Sequence, residues 1–109
     1  MTFNYYAVTS DTPADHDGLH IGQHAGGWEF LFRAYATRGL TTSAAWIAFL
    51  SRPEVTIRAD NGAEMPVGEF MAWATTRPAQ STVAMRERPR RATSFRDERG
   101  VPFADYEFG

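Results

Sequence analysis

The segment from Trp28 to Tyr35 constrains the fold more than any other part of this 109-residue chain. Apolar side chains recur there at every second position, at Trp28, Phe30, Phe32 and Ala34. A period of two is typical of a half-buried β-strand. We therefore predict a strand over residues 28–35 and an antiparallel sheet built around it.

The order of the other predicted elements indicates an α+β fold. A strand precedes residues 28–35, and a helix, a strand, a second helix and a hairpin follow, unlike the regular alternation of a parallel sheet. The predicted strands and hairpin are Phe3–Val8, Val55–Arg58 and Phe95–Phe103. The first helix begins at an N-cap among residues 41–43 and runs to about Ser51, and the second runs from about Val67 to Thr76. Both helices carry an apolar stripe. We expect a small antiparallel sheet covered on one face by these two short helices.

Residues 11–27 are dense in Asp, Gly, Pro and His, which favour turns over regular elements. We predict an ordered loop there. The Gly-rich end of this loop, residues 22–27, does not fit a Walker-type phosphate loop. That motif needs a Gly-Lys pair that opens a helix, whereas here a strand follows and the chain has no lysine.

Aromatic rings dominate the apolar composition. Fifteen Phe, Tyr and Trp residues outnumber the twelve Leu, Ile and Val residues. Each ring buries roughly 150–250 Å², so we expect an aromatic core. The core of a single domain of this size is thin, and a homo-oligomer would add to its stability.

Charge divides the chain into three parts. Residues 1–76 hold four arginines against eight acids, residues 77–100 hold seven against three, and residues 101–109 add two acids. We predict one domain with an α+β body at 1–76, a solvated Arg-rich connector at 77–94 and a C-terminal hairpin at 95–109. Its rings, among them Phe103, Tyr106 and Phe108, would dock the hairpin back on the body.

Several classes of function lack the residues they need. Without cysteine there is no thiolate nucleophile or thiolate metal site, and without lysine there is no Schiff base. No serine-nucleophile motif occurs. We expect a protein that is not an enzyme and holds no cofactor. The chain has no apolar run of the ~18 residues that a membrane span needs, and no signal-like segment. These features predict a cytoplasmic protein that does not enter a membrane.

A group of spaced residues resembles a family of small tailed-bacteriophage proteins of unassigned function, whose core motif is HIGK-x-x-x-GW-x-F-x-F. The matching positions are His20-Ile21-Gly22, Gly27-Trp28, Phe30 and Phe32, with Phe95-Arg96-Asp97, Gly100, Phe103, Glu107 and Phe108 near the C-terminus. The resemblance implies a phage gene expressed in a bacterial host, and hence the host cytoplasm. It implies no activity.

The chain departs from that family's pattern at two places. Gln23 stands where the motif has Lys, which weakens a phosphate-binding interpretation. A Cys-x-x-Cys pair precedes the His in many members, whereas this chain has acidic and imidazole side chains there. The candidate metal ligands are therefore Asp15, His16 and His20. Solvent-exposed histidines and a purely structural role for His20 are the alternatives.

Four arginines within six residues are the candidate contact for a partner: Arg86, Arg88, Arg90 and Arg91. Guanidinium groups suit phosphate and carboxylate ligands. A solvated connector is the simpler interpretation, and a protein partner is favoured over nucleic acid because no aromatic residues interleave with the run. We expect a non-catalytic phage accessory protein that binds a host or phage macromolecule. The alternatives are a metal-stabilised or nucleic-acid-binding module and a virion or assembly component.

Overall fold

A computed structural model describes residues 2–108, and it has the α+β architecture that the sequence predicts. Seven strands form one sheet: β1 (Thr2–Val8), β2 (Leu19–Ala25), β3 (Leu31–Arg33), β4 (Thr56–Ala59), β5 (Glu64–Met65), β6 (Phe95–Arg96) and β7 (Pro102–Ala104). The two helices are α1 (Ser43–Leu50) and α2 (Val67–Ala74). Within residues 2–108, no helix is long and apolar enough to cross a membrane.

The strand order in the sheet is β5-β4-β1-β2-β3-β7-β6. All neighbours are antiparallel except β3 and β7, which run parallel. The predicted C-terminal hairpin is confirmed, because β6 and β7 pair and Phe103 is fully buried. The hairpin thus extends the sheet beyond β3.

The prediction of a loop over residues 11–27 is wrong in its second half. Residues 19–25 form β2, the middle strand of the sheet. The register shifts beside Tyr5, which faces Gly22 while Tyr6 faces His20, so Ile21 is an extra residue in β2. Such a β-bulge breaks the alternation of side chains, which is why the strand lacks a period-two pattern.

The predicted strand at 28–35 is shorter than expected. Only Leu31–Arg33 is regular strand, and Trp28 and Tyr35 form isolated bridges to Arg86 and Leu40. Phe30 and Phe32 of the predicted core face are buried, but the predicted alternation is wrong, because Glu29 and Leu31 are buried as well and Trp28 is only half-buried.

Both helices contribute apolar side chains to the core and contact each other. Trp46 and Leu50 of α1 join Phe70 and Met71 of α2 in a single buried cluster. Thr42 caps α1, since its Oγ1 accepts a hydrogen bond from Ala45 N at 3.0 Å. The core is rich in rings, which accounts for the many edge-to-face contacts, such as Phe30 with Phe70 at 5.5 Å.

Candidate functional site

The three candidate metal ligands line one cavity of about 520 Å³, together with Tyr6, Asp17, Arg33, Tyr35, Glu107 and Phe108. They do not form a metal-ligating cluster. In residues 2–108, no group of three His, Asp or Glu side chains is placed to hold an ion. His16 uses its Nδ1 to accept a hydrogen bond from Gly18 N at 2.9 Å.

His20 has a structural environment within this cavity. Its Nε2 lies 2.9 Å from Asn4 Oδ1 and, as a protonated nitrogen, donates to that amide oxygen. Its ring packs edge-on against Phe108 at 4.9 Å. Burial, and next the positive charge of Arg33, lower the pKa of His20 below its usual value. The environment therefore favours the neutral imidazole, which links β1, β2 and the C-terminal residues.

Glu29 is the most deeply buried charged residue of the described chain, with 1% of its surface exposed. Arg96 binds the carboxylate through two hydrogen bonds, and the backbone N–H of Arg88 donates to Oε2 at 2.7 Å. Arg77 Nε lies 3.7 Å from Oε1. Glu29 thereby holds three arginines of the basic segment and hairpin against the body. The alternation of residues 28–35 places Glu29 opposite the apolar positions and gives no sign of this contact.

The four arginines of the candidate contact divide into two kinds. Arg86, Arg90 and Arg91 are exposed, whereas Arg88 is half-buried. Arg88 donates from Nε to Glu29 O at 2.9 Å and from Nη2 to Gln23 O at 3.3 Å. Burial lowers its pKa, against the opposing effect of Glu29. The expectation of a solvated connector therefore fails at Arg88, because backbone carbonyls of the body bind its guanidinium.

A basic cavity of about 500 Å³ lies beside this network. Its lining comprises Glu87, Arg88, Arg90, Thr93, Ser94, Phe95 and Arg96. Arg96 is paired with Glu29, and the Glu87 carboxylate is 3.8 Å from Arg77. Arg88 and Arg90 form no ion pair within residues 2–108. The cavity thus has two cations without a matching acid.

Folding brings three aromatic residues to the arginines, although none interleaves with them in sequence. The Arg86 guanidinium lies over the Trp28 ring, 5.5 Å from its centroid. Phe95 lines the basic cavity. Tyr106 donates from its hydroxyl to Ala92 O at 2.6 Å and is 43% exposed. The lack of aromatic residues within the arginine run therefore does not argue against nucleic-acid binding.

Comparison of the chain with protein-family models, with curated proteins and with solved structures finds no significant match. The geometry of the molecule therefore carries the functional argument.

Proposed function

We propose that this chain is a small non-catalytic bacteriophage accessory protein that binds an anionic macromolecule of the host or the phage. The phage assignment rests on the sequence resemblance alone. The binding surface is defined by the exposed side chains of Arg86, Arg90 and Arg91, and we call it the arginine surface.

One observation carries the proposal: these three exposed guanidinium groups cluster within six residues, and none of them forms an ion pair with any residue in the range 2–108. The rest of the network shows the contrast, because Arg77 and Arg96 lie beside the Glu29 carboxylate. An arginine left unpaired on the surface keeps its donors for phosphate or carboxylate groups. A net charge of −2 makes a local cationic surface the place where an acidic partner would be attracted.

The non-catalytic part of the proposal has support from the contacts of His20, which is half-buried, and of Glu29, which is buried. His20 is bound to Asn4 and packed against Phe108, and the Glu29 oxygens accept hydrogen bonds from Arg88 and Arg96. Both groups thus have structural contacts that compete with proton transfer to a substrate. A metal-stabilised module is less favoured because the candidate ligands do not converge.

Retention on immobilised heparin tests for the arginine surface. The test variant replaces three exposed arginines by alanine: Arg86, Arg90 and Arg91. The matched control replaces three exposed arginines elsewhere that also form no ion pair within residues 2–108: Arg38, Arg52 and Arg99. Both variants lose the same number of positive charges, so a difference between them reports position.

We expect the control variant to elute near the salt concentration of the wild type and the test variant to elute well below it. Equal elution of both variants would show that net charge decides the binding and would overturn the proposal. Mass spectrometry of purified virions addresses the alternative of a virion component, since stoichiometric recovery there would replace the accessory role.

A further inference from the structure

We infer that the arginine surface and the basic cavity bind single-stranded nucleic acid, with a backbone phosphate at Arg88 and Arg90 and a base against Tyr106. The inference rests on the proposed function and narrows its anionic partner to one class of macromolecule.

The phosphate position follows from the charges that line the cavity. Arg90 is exposed at its edge, and Arg88 is held by the carbonyls of Glu29 and Gln23. Those two contacts use Nε and Nη2 and do not neutralise the guanidinium charge, because the acceptors are backbone oxygens. A cation held in place beside an exposed, unpaired one forms a site for a phosphate oxygen.

The base position follows from Tyr106. Its hydroxyl is bound to Ala92 O in the short 3-10 turn Arg90–Ala92, so the end of the ring is anchored to the turn that carries two exposed arginines. The residue is still 43% exposed. An exposed aromatic ring beside phosphate-binding arginines is the combination that single-strand-binding proteins use. A base in a duplex is already stacked on its neighbours, and an acidic peptide has no base to stack on Tyr106. The combination of an aromatic ring with arginines therefore favours a single strand.

The size of the cavity agrees with this assignment. A volume of about 500 Å³ lies within the roughly 300–1,000 Å³ range of small-ligand sites, and it admits one nucleotide unit. Phe95 lines the same cavity, and Trp28 lies under Arg86, so aromatic side chains occur along the surface on which further nucleotides would lie.

The test is fluorescence anisotropy with three probes: a labelled thymidine oligonucleotide of about 12 nucleotides, the same sequence as a duplex, and a polyglutamate peptide. The variants are Tyr106→Leu, Tyr106→Phe and Arg90→Ala, with Arg38→Ala as the control for charge. A thermal melt of each variant confirms that it is folded.

We expect Tyr106→Leu to weaken single-strand binding roughly 5- to 150-fold, because one stacked base is lost. Tyr106→Phe keeps the aromatic ring and should therefore keep most of the wild-type affinity for the single strand. Arg90→Ala should lower the slope of log affinity against log salt by about 0.7, the contribution of one phosphate on a single strand, while Arg38→Ala leaves the slope unchanged.

Two results would overturn the inference but leave the proposed function intact. They are binding of polyglutamate or duplex as tight as that of the single strand, and single-strand binding that Tyr106→Leu leaves unchanged. The absence of salt-dependent binding to all three probes would overturn the inference and the proposed function together.

Discussion

Arg96 and Glu29 form a two-point contact in which Nη2 lies 2.8 Å from Oε2 and Nη1 lies 3.2 Å from Oε1. The pair joins the hairpin β6–β7 to the chain just before β3. Nη1 of Arg96 also donates to Gly100 O at 2.8 Å, so the guanidinium bridges the turn of the hairpin as well. Glu29 is thus the residue at which the body, the basic segment and the hairpin meet.

Glu29→Gln should destabilise the protein by roughly 3 kcal/mol, because it leaves Arg96 and Arg77 beside a site without a negative charge. For a domain of this size the melting temperature should fall by more than about 10 °C. Urea denaturation measures the change. Glu64→Gln is the matched control, since Glu64 pairs with Arg58 on the surface and such pairs contribute about 0–1 kcal/mol. Similar losses in both variants would contradict the role of Glu29.

The fold class was predictable from the sequence because most elements have local signals. Thr42 is an N-cap ahead of an apolar helix, and Asp60-Asn61-Gly62 forms the turn between β4 and β5. The middle strand β2 was not predictable. Its bulge at Ile21 removes the alternation, and its glycine and histidines are typical of loops. What makes it a strand is pairing with β1 and β3 on both sides, which is a tertiary effect.

Gly22→Ala should be strongly destabilising, because a Cβ there would collide with Leu31 O and with the Phe30 ring. Neither neighbour can move without disturbing the core or the ladder between β2 and β3, so the cost should reach about 1–3 kcal/mol or more. Gly68→Ala is the control. A Cβ at Gly68 meets open space within α2, and the substitution should stabilise by about 0.5–1 kcal/mol. Denaturation midpoints that move together would refute this account of the close packing at Gly22.

The candidate site was predictable only in part, because its key contacts join residues far apart in sequence. The sequence identifies four clustered arginines, and three of them are exposed as a solvated patch requires. The burial of Arg88 depends on carbonyls of Gln23 and Glu29, which no sequence pattern marks. Tyr106 reaches the arginines because β7 returns beside β3, and that parallel pairing is invisible to local periodicity.

Asp97 should make stability depend on pH in the acid range. Burial raises the pKa of Asp97, but hydrogen bonds from Ser43, Val101 and Arg99 lower it by more. The pKa therefore lies below its usual value. The fold therefore favours the charged form. Its contribution is complete above the unfolded-state pKa of about 3.9 and is lost as pH falls through the folded-state pKa.

Asp97→Asn should thus lower the free energy of unfolding at neutral pH and flatten its decline below about pH 4. Urea denaturation across that range measures both effects. The contact matters because Asp97 Oδ2 accepts from Ser43 N at 2.8 Å and from Ser43 Oγ at 2.7 Å, which joins the start of α1 to the hairpin. An unchanged pH profile in Asp97→Asn would assign the acid sensitivity to other carboxylates.

Proteolysis of the native protein should concentrate near Val83, which is 69% exposed. The sequence predicts a solvated connector over residues 77–94, but Arg86 and Arg88 are bound to the body. We expect elastase to cleave at residues 82–84, which are exposed. The two fragments should remain together, because β7 pairs with β3. First cleavage within β2 or β3 would show that the segment is as well ordered as the sheet.

Arg88→Ala should destabilise the protein where Arg86→Ala does not. Arg88→Ala removes two hydrogen bonds to backbone carbonyls. Because the guanidinium is half-buried, the free energy of unfolding should fall by about 1–3 kcal/mol in total. Arg86→Ala removes only an exposed contact over Trp28, and its backbone bonds to Gly27 and Glu29 remain. Hydrogen exchange at the Glu29 and Arg86 amides should accelerate in Arg88→Ala, since that guanidinium holds the segment beside β2 and β3. Equal melting temperatures and equal exchange in the two variants would mean that the Glu29 carboxylate and the backbone bonds of Arg86 hold the segment without the Arg88 guanidinium.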